Sequence, residues 1–146
     1  MTQLPDEFYA EREESRNYDA LLDITMNAIL GYDDENKDNS FGATLVSNGI
    51  VIRGLIVTSH EWQRLQVNFL AESSSEGANF LGEVFVSAFK DLNEMRKNFS
   101  VDHPDRPRAR YWIHMKDVVI HSSTGVIKTD LLRVSIDSVS AWTLGN

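Results

Sequence analysis

The sequence predicts an α+β domain: a small bent antiparallel β-sheet or partly open barrel of about five strands, with an N-terminal helix and a two-helix insertion between the first hairpin and the C-terminal strands. Three observations carry the prediction. Asn48-Gly49 stands between two β-prone runs, and a tight type I′ turn needs the positive φ at both central residues that this pair supplies. Residues from Trp62 to Phe99 then carry apolar side chains at helical spacing, broken once at SSSEGAN. The last 38 residues or so return to short β-prone runs separated by turn residues.

Residues 1–16, MTQLPDEFYAEREESR, are charged and weakly periodic and read as an acidic tail, leaving residues 17–146 as a single α+β domain. Tyr18, Leu21, Leu22, Thr25, Ile29 and Leu30 share one side of a 3.6-residue wheel, and Gly31 stands where a helix C-cap belongs. Tyr32 to Ser40, with Asp33, Asp34, Glu35 and Asp38, reads as an exposed polar loop. After the hairpin, Thr58 and Glu61 stand three apart in the pattern of a capping box. The helix it opens carries Trp62, Leu65, Phe69 and Leu70 to about Glu72, and a longer one carries Leu81, Val84, Phe85, Ala88, Leu92, Met95 and Phe99. Asp102 to Pro107 holds two prolines and predicts a stiff surface loop.

In the next run Tyr111, Ile113 and Met115 occupy one parity, whereas Val118 and Ile120 occupy the other. A strand can keep both sets on one face only through a bulge or bend around Asp117. Ser122 to Gly125 predicts a turn, LLRVSI a further strand, and Val139 to Leu144 a last short one.

The formal charge of −8 is unevenly distributed. Met1 to Ser40 carries 11 acidic and 3 basic residues, whereas Phe41 to Asn146 carries 11 of each. Phosphate recognition requires a concentrated basic surface, and Arg106, Arg108 and Arg110 with Arg96, Lys97 and Lys116 make only a modest one, so a nucleic-acid partner is not expected. An Sm-like RNA-binding ring would need a basic pore lining, which the same balance disfavours. There is no cysteine, which excludes disulfides and thiolate metal sites. No apolar run approaches the roughly 20 residues that span a bilayer, and the first residues lack the apolar core of a secretory signal, so a cytoplasmic protein with no membrane partner is expected.

Chemistry has little support in the residues. His60, His103, His114 and His121 form no HxH or HxxxH pair, so no metal or other cofactor is expected. No GxSxG or phosphate-cradling glycine pattern occurs, and the paired carboxylates lie in an acidic loop, so no catalytic residue is assigned. The aromatics fit interaction better. If Tyr111, Ile113 and Met115 face inward, Trp112 and His114 point outward beside Arg110 and Lys116, and these four form the candidate partner-binding set.

Three segments together resemble the gas vesicle accessory protein U family of bacteria. They are LVSNGIVIRGLIVTSHEW with the helix start that follows it, Tyr111-Trp112-Ile113-His114-Met115-Lys116, and LLRVSIDSVSAWTLG. The resemblance covers roughly half of the chain. It implies a non-enzymatic protein associated with gas vesicles in the cytoplasm, acting in vesicle assembly or clustering through contact with shell or accessory proteins or with its own copies as a homo-oligomer. The longer acidic N-terminal region and the proline-bearing Asp102 to Pro107 loop depart from the family pattern. The competing expectation is a small-ligand-binding or hydrolytic enzyme, which would need an apolar pocket with convergent polar groups between the sheet and the Leu81 to Met95 helix.

Overall fold

The computed structural model describes residues 19–31, 34–104 and 110–145, which leaves the acidic tail and part of the proline loop outside the described residues. The chain forms two compact units. One unites residues 19–62 with 110–145, and the other comprises residues 63–104.

In the first unit, helix α1 (Ala20–Leu30) starts at Asp19, whose carboxylate accepts from the Leu22 N–H at 3.0 Å. It ends at Gly31, where φ is +85° and the N–H donates to the Asn27 carbonyl. Leu22, Met26 and Leu30 are the residues it buries, a single i, i+4 row. Leu21 and Ile24 are exposed instead, whereas Ile29 is partly buried against the core. The wheel expected from the sequence was therefore too wide on the Leu21 side.

Strands β1 (Ser40–Ser47) and β2 (Ile50–Val57) form the expected hairpin, in which Ser47 pairs with Ile50 and Asn48 and Gly49 take φ values of +50° and +77°. Thr58 closes β2 and caps the next helix, its hydroxyl accepting from the Glu61 N–H at 3.1 Å. Strand β3 (Trp112–Ser122) pairs antiparallel with β2, and one residue too many lies between the pairs Arg53–Val119 and Leu55–Lys116. The surplus is the bulge that the parity slip requires, with Asp117 at φ +52°. Ile113, Met115 and Val118 consequently all reach the core. Gly54 faces this bulge. A Cβ there would stand 3.0 Å from the Lys116 carbonyl oxygen and 3.3 Å from that of Asp117.

Strand β4 (Gly125–Ser135) pairs with β3, and β5 (Val139–Leu144) pairs with β1, giving an all-antiparallel sheet in the order β4-β3-β2-β1-β5. The connection between the two edge strands is a single 3-10 turn, Ile136–Ser138. Four strand spacings amount to about 19 Å in a flat sheet. Four residue steps reach about 14 Å at most. The sheet must therefore curl until its edges approach, while β4 and β5 remain unpaired. Hydrogen bonds confirm the short path: the Ile136 N–H reaches the Tyr111 carbonyl at 3.0 Å, and the Ser138 hydroxyl lies 2.6 Å from that of Ser47. Inside the curl lie Leu45, Ile52, Ile56, Ile113, Met115 and Val134, closed by α1.

Among the described residues the second unit is a helical pair. Helix α2 (Ser59–Ala71) contributes the part from Gln63 onward, and α3 (Glu76–Asp102) starts at Ser75, whose hydroxyl accepts from the Ala78 N–H. The Gln63 and Asn93 amides exchange two hydrogen bonds at 3.1 and 3.4 Å. Leu70 packs on Gly82, where a Cβ would already be in contact at 3.4 Å. On α3, Leu81, Val84 and Leu92 are exposed, as are Phe80 and Val101.

Candidate interaction surface

The approach to β3 is held by Arg110. Its Nε donates to the Asn27 Oδ1 at 3.1 Å, one terminal nitrogen to the Asp34 carboxylate at 2.6 Å, and the other to the Gly31 carbonyl at 2.7 Å. The second Asp34 oxygen accepts from the Ser59 N–H at 2.7 Å, at the start of α2, where the helix dipole favours an anion. Asp34 is 2% exposed at φ +53°, so the acidic loop contains one carboxylate that packs, contrary to the sequence expectation of a wholly exposed segment. Burial pushes the Asp34 carboxyl up, but the Arg110 charge and the bonds from Ser59 and Arg110 outweigh it, and the group sits below the usual carboxylate range. Asp19 is also lowered, chiefly by the Trp142 indole N–H at 2.6 Å and the Leu22 N–H.

The four sequence-selected residues have different surroundings. The Arg110 side chain is 8% exposed and engaged in the clamp just described. His114 is buried, its ring 5.3 Å from that of Trp62 at the first turn of α2. Trp112 is 38% exposed, and the Arg133 guanidinium lies over its ring at 4.3 Å. Lys116 is half-buried between Leu55 and Leu131 on neighbouring strands. The alternation is as expected, with Trp112, His114 and Lys116 on the sheet face turned from the core, but Trp62 covers the middle residue.

That outer face is more basic than the sequence alone disclosed. Register places Lys128, Val119, Arg53 and Thr44 in one row across β4, β3, β2 and β1. Arg133, His114 and Val57 form another row, and Leu131, Lys116 and Leu55 a third. Arg53, Lys116, Lys128 and Arg133 thus share one face, and among the described residues none has a carboxylate within ion-pair distance. Partial burial lowers the Arg133 pKa, as expected for a cation held against an aromatic ring without an anion. Arg53, Lys128 and Arg133 could have been found only with the strand register in hand, since they are 75 and 5 positions apart in sequence. The bulge also aligns His114 and His121 on this face, but opposite Val57 and Val51, about 20 Å apart along the strand.

No group of three or more metal-ligating side chains occurs among the described residues, and none of their helices is long and apolar enough to cross a membrane. No curated protein and no solved structure matches the chain. A family model described as gas vesicle protein GvpU-like matches residues 19–146, from the N-cap of α1 past the end of β5, and takes in the clamp, the bulged strand and both edge strands. The chain therefore belongs to the GvpU-like family of gas vesicle proteins.

Proposed function

We propose that the chain is a non-enzymatic gas vesicle accessory protein that works in the cytoplasm through protein–protein contact, in the assembly or clustering of vesicles. The family match over residues 19–146 carries this reading. The contact surface in this proposal is the outer face of the curled sheet, where Trp112 is exposed and Lys116 half-buried, and where Arg110 and His114 fix the strand that presents them. An aromatic beside unpaired cations suits a partner that offers an apolar anchor and carboxylates, such as an acidic segment of a shell or accessory protein.

Co-sedimentation with floating vesicles tests it. The chain should rise with the vesicles at low and moderate salt, and the Trp112→Ala and Lys116→Glu variants should rise less while keeping their circular dichroism. Absence of vesicle binding at both salt concentrations would refute the assignment, and undiminished binding of both variants would refute the surface.

A further inference from the structure

The tip of the β1–β2 hairpin is a reactive pair as well as a turn. Asn48 and Gly49 are both exposed, and no other asparagine of the chain precedes a glycine. Among the described residues no hydrogen bond holds the Asn48 carboxamide or the Gly49 N–H, because the hairpin closes through Ser47 and Ile50. Nothing stands within 4 Å of the place a Gly49 Cβ would take, so solvent reaches the peptide bond between the two residues. The other described asparagines are restrained. Asn39 is exposed like Asn48, but its side-chain N–H donates to the Ile29 carbonyl at 2.9 Å and a serine follows it. Asn36 donates to the same carbonyl, Asn27 bonds to Asp23 and Arg110, and Asn93 bonds to Gln63. Asn68, Asn79 and Asn98 lie inside helices, whose backbone bonds hold the N–H that follows each of them.

From this unrestrained pair we infer that Asn48 is a site of spontaneous deamidation, with water as the only co-reactant. Once base has removed its proton, the Gly49 nitrogen attacks Cγ of Asn48. The bond from Cγ to the carboxamide nitrogen breaks, and that nitrogen takes up a proton and leaves as ammonia. The ring closed in this way is a succinimide. Water then opens one of its two N–C bonds. Opening at Cγ leaves an aspartate in an ordinary chain, whereas opening at the main-chain carbonyl carbon leaves an isoaspartate, whose chain runs through Cβ and Cγ. One water enters, one ammonia departs, and nothing is oxidised or reduced. Either product adds one negative charge to the formal −8. Ring closure requires the Asn48 backbone to rotate out of its left-handed conformation at φ +50°, so the turn must first open locally. The two products then differ in their effect on the fold. Aspartate tolerates a left-handed backbone as asparagine does, and Asp-Gly also suits a type I′ turn. Isoaspartate lengthens the main chain between Ser47 and Ile50 by a methylene that a two-residue turn does not accommodate, so the pairing of β1 with β2 loosens at its tip.

Trypsin cleaves after Lys37 and Arg53, so a single peptide holds both Asn39 and Asn48 and supplies its own reference. The folded full chain is incubated in mildly alkaline heavy-oxygen water and digested in ordinary water, so that heavy oxygen marks only the change made in the folded protein. Asn48 should take up the label roughly tenfold faster than Asn39, which must first give up its hydrogen bond, and the rate should rise with pH. An isoaspartyl methyltransferase should methylate the aged chain. Asn48→Gly, which keeps a residue suited to positive φ, should retain its circular dichroism and lose that methylation. The separated isoaspartate fraction should melt at a lower temperature than the aspartate fraction. Equal rates at the two asparagines, an unlabelled Asn48, a rate indifferent to pH, or undiminished methylation of Asn48→Gly would each overturn the inference. An isoaspartate fraction as stable as the aspartate fraction would overturn the account of the turn. No partner takes part in the reaction, so its outcome is independent of the vesicle-binding test.

Discussion

Removing Arg110 should expose how the first unit is tied together. The guanidinium bridges the end of α1, through Asn27 and the Gly31 carbonyl, to Asp34, and Asp34 in turn holds the start of α2 through Ser59. In Arg110→Ala the Asp34 carboxylate stays buried and keeps only its bonds from the Ser59 backbone and side chain among the partners described. Breaking a buried pair by removing one member costs about 3–5 kcal/mol. The protein has two units, but Trp62, Trp112 and Trp142 all belong to the one that contains the clamp, so tryptophan fluorescence in urea reads its stability selectively. In the intact chain Asp34 is depressed, so its stabilising contribution is present above the unfolded carboxyl value near 3.9 and is lost as pH falls through the folded value. In Arg110→Ala burial opposes the Ser59 bonds without the help of the cation, so the depression of this carboxyl and the stability that goes with it are diminished. The deficit should therefore be largest at neutral pH and shrink as pH approaches the carboxyl range. A loss below about 1 kcal/mol at neutral pH, typical of a surface pair, would refute the reasoning. So would a deficit that widens on acidification.

Gly54→Ala places a Cβ against two carbonyl oxygens of the bulge and the Val118 methyl, and chemical denaturation should show a loss of about 1–3 kcal/mol. Gly49→Ala meets no atom within 4 Å but forces an L residue to φ +77°, and its loss should be nearer 1 kcal/mol. Thr58→Ala removes the acceptor for the Glu61 N–H and should cost about 1 kcal/mol, read from the same urea curves. Deleting Met1 to Arg16 removes five acidic and two basic residues; the fold should persist by circular dichroism, and the salt dependence of vesicle association should change. Unchanged association across ionic strength would remove the electrostatic role of the tail.

Features written in neighbouring residues were legible before any coordinates. Asn48-Gly49, the Thr58–Glu61 cap, the Gly31 terminus and the slipped parity around Asp117 each state a local backbone demand, and each is met. What escaped detection depends on pairing across distance. Asp34 looks like one more solvated acid until Arg110, 76 positions on, is brought to it. The outer-face cations likewise require the register of four strands. Trp112 remained accessible as its parity implied, whereas His114, of the same parity, was covered by Trp62, because alternation fixes a face and not its coverage. On α3 Leu81, Val84 and Leu92 share the periodicity of Phe99, yet they are exposed and Phe99 is buried, because periodicity fixes a face and not its coverage.

The short Ile136–Ser138 connection has a consequence for biosynthesis. β1 emerges early and finds β2 at once through the Asn-Gly turn, yet its other neighbour, β5, is made about 95 residues later. Until then one flank of β1 offers unpaired backbone groups, and Trp142 and Val139 are missing from the interior. At typical ribosomal speeds this interval lasts roughly 5–20 s. The nascent chain is most open to wrong pairing during those seconds.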